Sequence, residues 1–212
     1  MIYPEKYSPI FTEKEIKANG LIVKARRDLY ESKGLDFFKS REFILDKAGD
    51  LSGRILEIGS GRGNTALSLA RAGYNFTSID VEPEMLKCTA LNLAGEGFLE
   101  KAELLLMDGY KMLFEDNSFN NIIMIEALHH IHDAEGLFKE IDRVLCSKGK
   151  LVLSDFNKKG IEIIEGVHRS EGHTHESSSV GMKETERWFL SRGYKLEKWE
   201  HDCHWLVLGV KK

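Results

Sequence analysis

The sequence predicts an α/β fold, a doubly wound and mostly parallel sheet with helices on both faces. Short apolar runs at 54–58, 75–79, 102–107, 121–125 and 150–153 alternate with helical periodicity at 64–72, 83–93 and 134–145, the pattern of βαβ units. The runs 121–125 and 150–153 are almost continuously apolar, as strands covered on both faces are. Acids follow four of the five runs, as Asp80, Asp108, Glu126 and Asp155. Open parallel sheets bind their ligands outside the carboxyl ends of the strands.

Before the first strand, 12–48 reads as helical with breaks at Gly20 and Gly34. Thr12 and Glu15 have the spacing of a capping box. Phe37, Phe38, Ile44 and Leu45 mark a second helix ending near Gly49; this pair reads as a cover over the core or a lid over a pocket. Pro83 suits the first turn of its helix. Residues 134–145 place Leu137, Phe138, Ile141, Val144 and Leu145 at helical spacing, and Gly149 stops that helix. Asp155 reads as a cap for whatever follows its strand. Residues 157–181 form a polar stretch rich in His, Glu, Ser and Gly, which reads as a functional or mobile loop. A helix at 183–191 precedes two strands at 194–201 and 204–211. Their closeness in sequence favours an antiparallel hairpin, because a parallel return needs about a dozen residues.

With 212 residues, the chain is expected to form one domain, 1–212. Its parts are a helical cover (1–50), a ligand-binding core (51–155), a substrate-side insertion (156–182) and a terminal helix with hairpin (183–212). Apolar residues make up 42% and charged residues 30%, which excludes a disordered chain. A net charge of -4 argues against coating nucleic acid by charge alone. No apolar run approaches the ~18 residues of a membrane span, and the first residues lack the apolar core of a signal peptide. Three widely spaced cysteines, Cys88, Cys146 and Cys203, do not suggest a disulfide framework and fit a reducing cytoplasm.

The loop after the first strand reads Leu56-Glu57-Ile58-Gly59-Ser60-Gly61-Arg62-Gly63. Alternate glycines permit positive φ and close approach of a ligand to the backbone. A dinucleotide fingerprint would want its third glycine at position 64; that residue is Asn64, and the glycine comes one place early. A nicotinamide-dependent oxidoreductase is disfavoured on that spacing. The loop resembles motif I of the class I S-adenosylmethionine-dependent methyltransferases, of the type 11-like kind. Ser78-Ile79-Asp80-Val81, Met107-Asp108-Gly109, the stretch from Phe114 to Phe119, Ala127-Leu128-His129-His130-Ile131 and the stretch from Glu140 to Leu145 are similar to that family in order and spacing.

The resemblance implies a Rossmann-like, seven-stranded sheet and a transferase that uses S-adenosylmethionine and yields S-adenosylhomocysteine. It implies that Gly59, Ser60, Gly61 and Gly63 pass the methionine and ribose portions, and that Asp80 accepts from the ribose hydroxyls. Val81 and Met85 would pack near the adenine, and Asp108 with Gly109 would bind its edge. Glu126 and Ala127 would lie near the sulfonium, while Glu57 would support the loop and the methionine amine. In-line methyl transfer needs alignment and exclusion of water; a general base is needed only for a protonated nucleophile. His130 and His129 are the base candidates, or line the pocket without moving a proton.

His168-Arg169-Ser170-Glu171-Gly172-His173-Thr174-His175-Glu176 is the unusual segment. As a substrate loop it would offer His168, Arg169 and His173, with Arg169 suited to a carboxylate or phosphate. As a metal site it would use His168, His173, His175 and Cys203 for zinc, although no compact metal motif is matched. The expected function is therefore methyl transfer to a small-molecule acceptor, by a cytoplasmic monomer or homodimer, with neither membrane nor nucleic acid as partner. The alternatives are a catalytically lapsed cofactor-binding or scaffold protein and a metal-dependent methyltransferase using the segment 168–176.

Overall fold

The structure is a computed structural model that describes residues 5–7, 9–172 and 180–212. Its strands are β1 (Glu5–Lys6), β2 (Ile55–Ile58), β3 (Phe76–Asp80), β4 (Ala102–Leu106), β5 (Phe119–Ile125), β6 (Leu145–Phe156), β7 (Lys195–His201) and β8 (His204–Val210). Its helices are α1 (Glu13–Ser32), α2 (Phe37–Ala48), α3 (Asn64–Arg71), α4 (Pro83–Gly95), α5 (Ala134–Val144), α6 (Lys158–Ser170) and α7 (Met182–Ser191). The strands form one sheet in the order β1-β4-β3-β2-β5-β6-β8-β7. Strands β2 to β6 are mutually parallel, and β8 runs antiparallel between β6 and β7. This is the expected doubly wound, Rossmann-like sheet with its terminal hairpin. Strand β1 is added at the edge, antiparallel to β4; two residues are too few to show a period in the sequence.

Local chemistry sets most boundaries. Thr12 and Glu15 form the reciprocal capping box of α1. Asp36 accepts from the Phe38 and Lys39 amides to start α2. Asp133 caps α5 through the Gly136 amide, and Asn157 caps α6 through the Gly160 amide. The helix α1 runs through Gly20 without the expected break. A helical glycine costs only ~1 kcal/mol, and α1 is anchored along α4, where the Asn19 amide donates to Asn92 at 2.8 Å. The polar stretch after residue 156 also departs from expectation, because 158–170 is a helix. Ile164 and Val167 are buried on one side of it against Tyr30, Leu35, Phe156 and Cys203. The chain is already extended at Leu145, so β6 is far longer than the run 150–153 and the helix before it does not reach Gly149.

Alternation along β2 divides the core. Leu56 and Ile58 join the cluster that packs with Leu137, Phe138 and Ile141 of α5 and Phe189 of α7. Ile55 faces the other way, into the cluster with Ala66, Leu67 and Leu69 of α3 and Ile44 of α2. Glu57 therefore shares a face with Ile55, toward α3. Among the described residues, no helix is long and apolar enough to cross a membrane.

Candidate active site

The strand order reverses between β2 and β5, so the loops leaving their carboxyl ends diverge and open a crevice. The glycine loop forms one lip. The Gly59 and Ser60 amides donate to the Ile79 carbonyl at 2.9 and 3.2 Å, which ties the loop to the end of β3. Asp80 secures its crest: Oδ2 accepts from the Gly61 amide at 2.8 Å and from Ser60 Oγ at 3.1 Å. Its Oδ1 accepts from the Glu82 amide. Gly59 has φ +81, and a Cβ there would lie 2.9 Å from the Ala127 Cβ; Gly63 has φ +77, and a Cβ would lie 2.9 Å from the Thr89 backbone. No other residue type fits either place unstrained.

Two cavities meet at this crevice. The larger, about 540 Å³, is lined by Asp80, Val81, Glu82, Met85, Asp108, Gly109 and Ala127. The smaller, about 210 Å³, lies between the loop and the helices α1, α2 and α6, with Arg26, Tyr30, Arg41, Arg62, His129 and His168 in its walls. Gly59, Gly61, Glu126 and His130 line both and mark the junction.

Glu126 occupies the junction with a left-handed backbone, φ +58, a strained conformation that concentrates at functional sites. Its carboxylate is held by two side chains through three contacts. Arg41 donates to both oxygens, through Nη1 to Oε1 and through Nη2 to Oε2 at 2.7 Å. His204 Nε2 lies 2.6 Å from Oε1. Burial by itself would raise the Glu126 pKa, but the Arg41 charge and the hydrogen bonds from His204 and Arg41 outweigh it and hold the group at about 2. Glu57 shows the opposite balance beneath the loop. Burial pushes its pKa up to about 8, against a hydrogen bond from Ser78 and the charge of Arg41. Ser78 Oγ donates to its Oε2 at 2.5 Å, and Oε1 has no partner among the described residues.

A buried dyad lies on the side of the smaller cavity. Asp155 Oδ1 is 2.7 Å from His129 Nδ1, and Oδ2 accepts from the His129 amide at 2.9 Å. With the carboxylate accepting from Nδ1–H, the acceptor nitrogen of a neutral ring is Nε2. The His129 and His130 rings lie 4.0 Å apart. Asp155 thus corrects the reading of that acid as a helix cap: Asn157 caps α6, and Asp155 orients His129.

Most residues singled out in the sequence converge here. Asp80, Val81, Met85, Asp108, Gly109 and Ala127 line the larger cavity, Ser60 and His129 line the smaller, and Gly59, Gly61, Glu126 and His130 line both. Glu57 and Gly63 support the loop from below without lining either cavity. His168, in the last turn of α6, lines the smaller cavity. Arg169 does not; its side chain is 70% exposed and pairs with Glu165. His173 and His175 lie outside the described residues. Cys203 is fully buried, with Sγ 3.5 Å from the Gly34 carbonyl. Among the described residues, no group of three or more His, Cys, Asp or Glu side chains could hold a metal ion. Arg26, Tyr30 and Arg41 went unnoticed in the sequence, because nothing in the order of residues reveals which side chains of distant helices face a strand end; Arg62 and His204 stood in the glycine loop and the terminal hairpin without a role at the junction.

The reversed strand order, the glycine loop and two adjoining cavities make a site for an extended ligand at the carboxyl end of a doubly wound sheet. Comparison with known proteins shows what the chain is similar to. The family model described as "Methyltransferase domain" matches residues 56–153. Similar curated proteins include a ubiquinone biosynthesis O-methyltransferase of Xanthomonas euvesicatoria, 25% identical over 74% of this chain and 68% of that protein. A sterol 4-C-methyltransferase of Caenorhabditis elegans is 29% identical over 55% of this chain. The match spans 36% of the length of that sterol enzyme. Among solved structures, the glycopeptide N-methyltransferase MtfA in complex with S-adenosylhomocysteine has a TM-score of 0.68 at 16% identity, over 84% of this chain and 91% of that one. A candidate S-adenosyl-L-methionine-dependent methyltransferase from Methanococcus maripaludis has a TM-score of 0.68 at 19% identity, over 97% of both chains. Residues 56–153 therefore resemble a methyltransferase domain, and the fold is the one seen in structures of S-adenosylmethionine-dependent methyltransferases.

The residues present fit that cofactor. Carboxylates of Asp80 and Asp108 at the rim of the larger cavity suit a ligand rich in hydroxyl and amino donors. Gly59 lines both cavities, and a side chain there would run into Ala127.

Proposed function

We propose that the chain transfers a methyl group to a small molecule held in the smaller cavity. The carrying observation is the junction: two cavities on opposite sides of Gly59, Gly61, Glu126 and His130, one suited to the cofactor and one to its acceptor. When bound, S-adenosylmethionine supplies an electrophilic methyl on a sulfonium, open to in-line displacement. Asp80 holds the ribose hydroxyls, with the Glu82 segment fixed behind it. Asp108 and Gly109 bind the adenine edge, and Val81 and Met85 pack on its face. Gly59, Ser60 and Gly61 border the amino-acid portion. The carboxylate of Glu126 faces the cationic end, where Arg41 and His204 keep it ionised. The helices α1, α2 and α6 wall the acceptor from water.

For a hydroxyl acceptor, His129 is the general base. Its Nε2 takes the proton, and the Asp155 carboxylate stabilises the resulting imidazolium, as in other carboxylate-oriented histidines. His130 lines the junction. The whole chain acts as one domain, with 1–50 as cover and 156–182 as substrate-side insertion. Names of relatives support a small acceptor: the Xanthomonas protein is an O-methyltransferase of ubiquinone biosynthesis, and a Rauvolfia serpentina relative, 25% identical over 56% of this chain, is a norajmaline N-methyltransferase. Calorimetric titration with S-adenosylmethionine and S-adenosylhomocysteine tests the cofactor assignment. Saturable binding of both, without added metal, is expected; no binding of either overturns it. An acceptor screen with labelled methyl groups then reads transfer.

A further inference from the structure

The smaller cavity carries a cationic cluster that the mechanism above does not use. Arg26 of α1 is held there on two sides. Its Nη1 donates to Glu171 at 2.7 Å, and its Nη2 donates to the Tyr30 hydroxyl at 3.1 Å. The same Nη2 lies 3.5 Å from His168 Nε2. Arg62 enters from the glycine loop, and its charge, like that of Arg26, acts on the Tyr30 hydroxyl. Arg26, Tyr30, Arg62 and His168 all line the cavity, whereas Glu171 does not.

The charges do not balance. Four arginines line the cavity against one carboxylate, Glu126. Arg41 is neutralised by Glu126 and Arg26 by Glu171. Arg62 has no ion-pair partner within 4.0 Å among the described residues. The walls also carry an apolar and aromatic set, Val23, Phe37, Phe156 and Ile164. A volume of about 210 Å³ lies below the ~300–1,000 Å³ usual for ligand pockets, so the occupant is compact.

We propose that the acceptor is a small molecule with an apolar body and an oxyanion, carboxylate or phosphate, bound by Arg26 and Arg62 beside Tyr30 and His168, so that its nucleophile is presented at the His129–His130 end. The proposal rests on the methyltransferase reading. Guanidinium forks match both oxyanions through paired N–H donors, and lysine could not do this as well. Glu171 serves as the internal counter-ion of Arg26, and a bound oxyanion would take over the Nη2 donor that now meets the Tyr30 hydroxyl.

The test uses the full chain saturated with S-adenosylhomocysteine. 3-Hydroxybenzoate, 3-hydroxyphenyl phosphate and the neutral 3-hydroxybenzamide are titrated calorimetrically, together with short-chain hydroxy acids and their amides. The anionic members should bind at least about tenfold more tightly than the amides, at ~1.4 kcal/mol per tenfold. Arg62→Gln and Arg26→Gln should each erase that preference and leave S-adenosylhomocysteine affinity within about twofold. Arg62 is exposed, so its variant keeps the test decisive even if loss of the Arg26–Glu171 pair impairs folding. The carboxylate and phosphate arms show which oxyanion is held. Equal affinity for acids and amides, or no binding of any probe, overturns the proposal. So does a loss of S-adenosylhomocysteine affinity in the arginine variants, which would assign the cluster to the carboxylate of the cofactor. If the wild type fails to bind S-adenosylhomocysteine, the methyltransferase reading falls. The acid–amide comparison on the protein alone then judges the oxyanion site separately.

Discussion

Glu57→Gln isolates a single buried carboxyl and the protonation it forces. Glu57 is 1% exposed, and burial raises its pKa from 4.5 to about 8. The folded chain therefore keeps a proton that the unfolded chain releases near pH 4.5. The sign follows from proton counting: between these values the native state binds more protons, so stability falls as pH rises. Below 4.5 the group costs nothing, and above about 8 the loss is complete. At ~1.4 kcal/mol for each pH step of one, the loss is roughly 3 kcal/mol by pH 7 and roughly 5 kcal/mol across the window. Glutamine keeps an acceptor for the Ser78 hydroxyl and has no proton to lose. Denaturant unfolding of both proteins from about pH 5 to about pH 8.5 reads the difference, because other titrating groups cancel. The advantage of the glutamine variant should grow by ~1.4 kcal/mol for each pH step of one and level off above about 8. Parallel curves would mean that Glu57 ionises normally in the folded chain, and would refute the burial argument.

Asp80→Ala removes the ribose acceptor and should weaken S-adenosylmethionine binding by ~1–3 kcal/mol in a chain that still melts cooperatively; unchanged affinity would rule out the ribose role. His129→Gln and Asp155→Asn should each lower kcat by roughly 10²–10⁴ on a hydroxyl acceptor with S-adenosylhomocysteine affinity intact, and the double variant should be little worse than either alone. Additive losses in that cycle would separate the two groups. Glu126→Gln leaves the Arg41 guanidinium buried without its counter-charge and should cost ~3–5 kcal/mol at neutral pH. The pKa of this group is lowered from 4.5 to about 2, so its stabilisation is complete above 4.5. The penalty of the variant should shrink as pH falls through that window, which unfolding measured down the acid limb would show. Gly63→Ala meets both the Thr89 backbone and a left-handed φ, and should lose at least ~1–2 kcal/mol in chemical denaturation.

The order of residues by itself determined the alternation of strands and helices, the glycine loop and the acids that close the strands. These are local facts: an apolar period, a cap, a positive φ and a residue at the end of a strand act over a few positions, and the neighbouring sequence records them. Asp80, Asp108 and Glu126 were legible as a set because every parallel strand delivers its last residue to the same rim. Tertiary structure decided what each acid does there. Asp155 resembled a cap until β6 and the turn after β5 brought it to His129, and Glu126 acquired Arg41 from α2 and His204 from β8. The smaller cavity was not legible, since its walls come from α1, α2, the glycine loop and α6, which are distant in sequence. The helix α6 itself was obscured by its polar face; burial against Tyr30, Leu35 and Phe156, beside the Asn157 cap, holds it in place. Pairing across such distances depends on which faces the sheet leaves to be covered, and no local pattern encodes that.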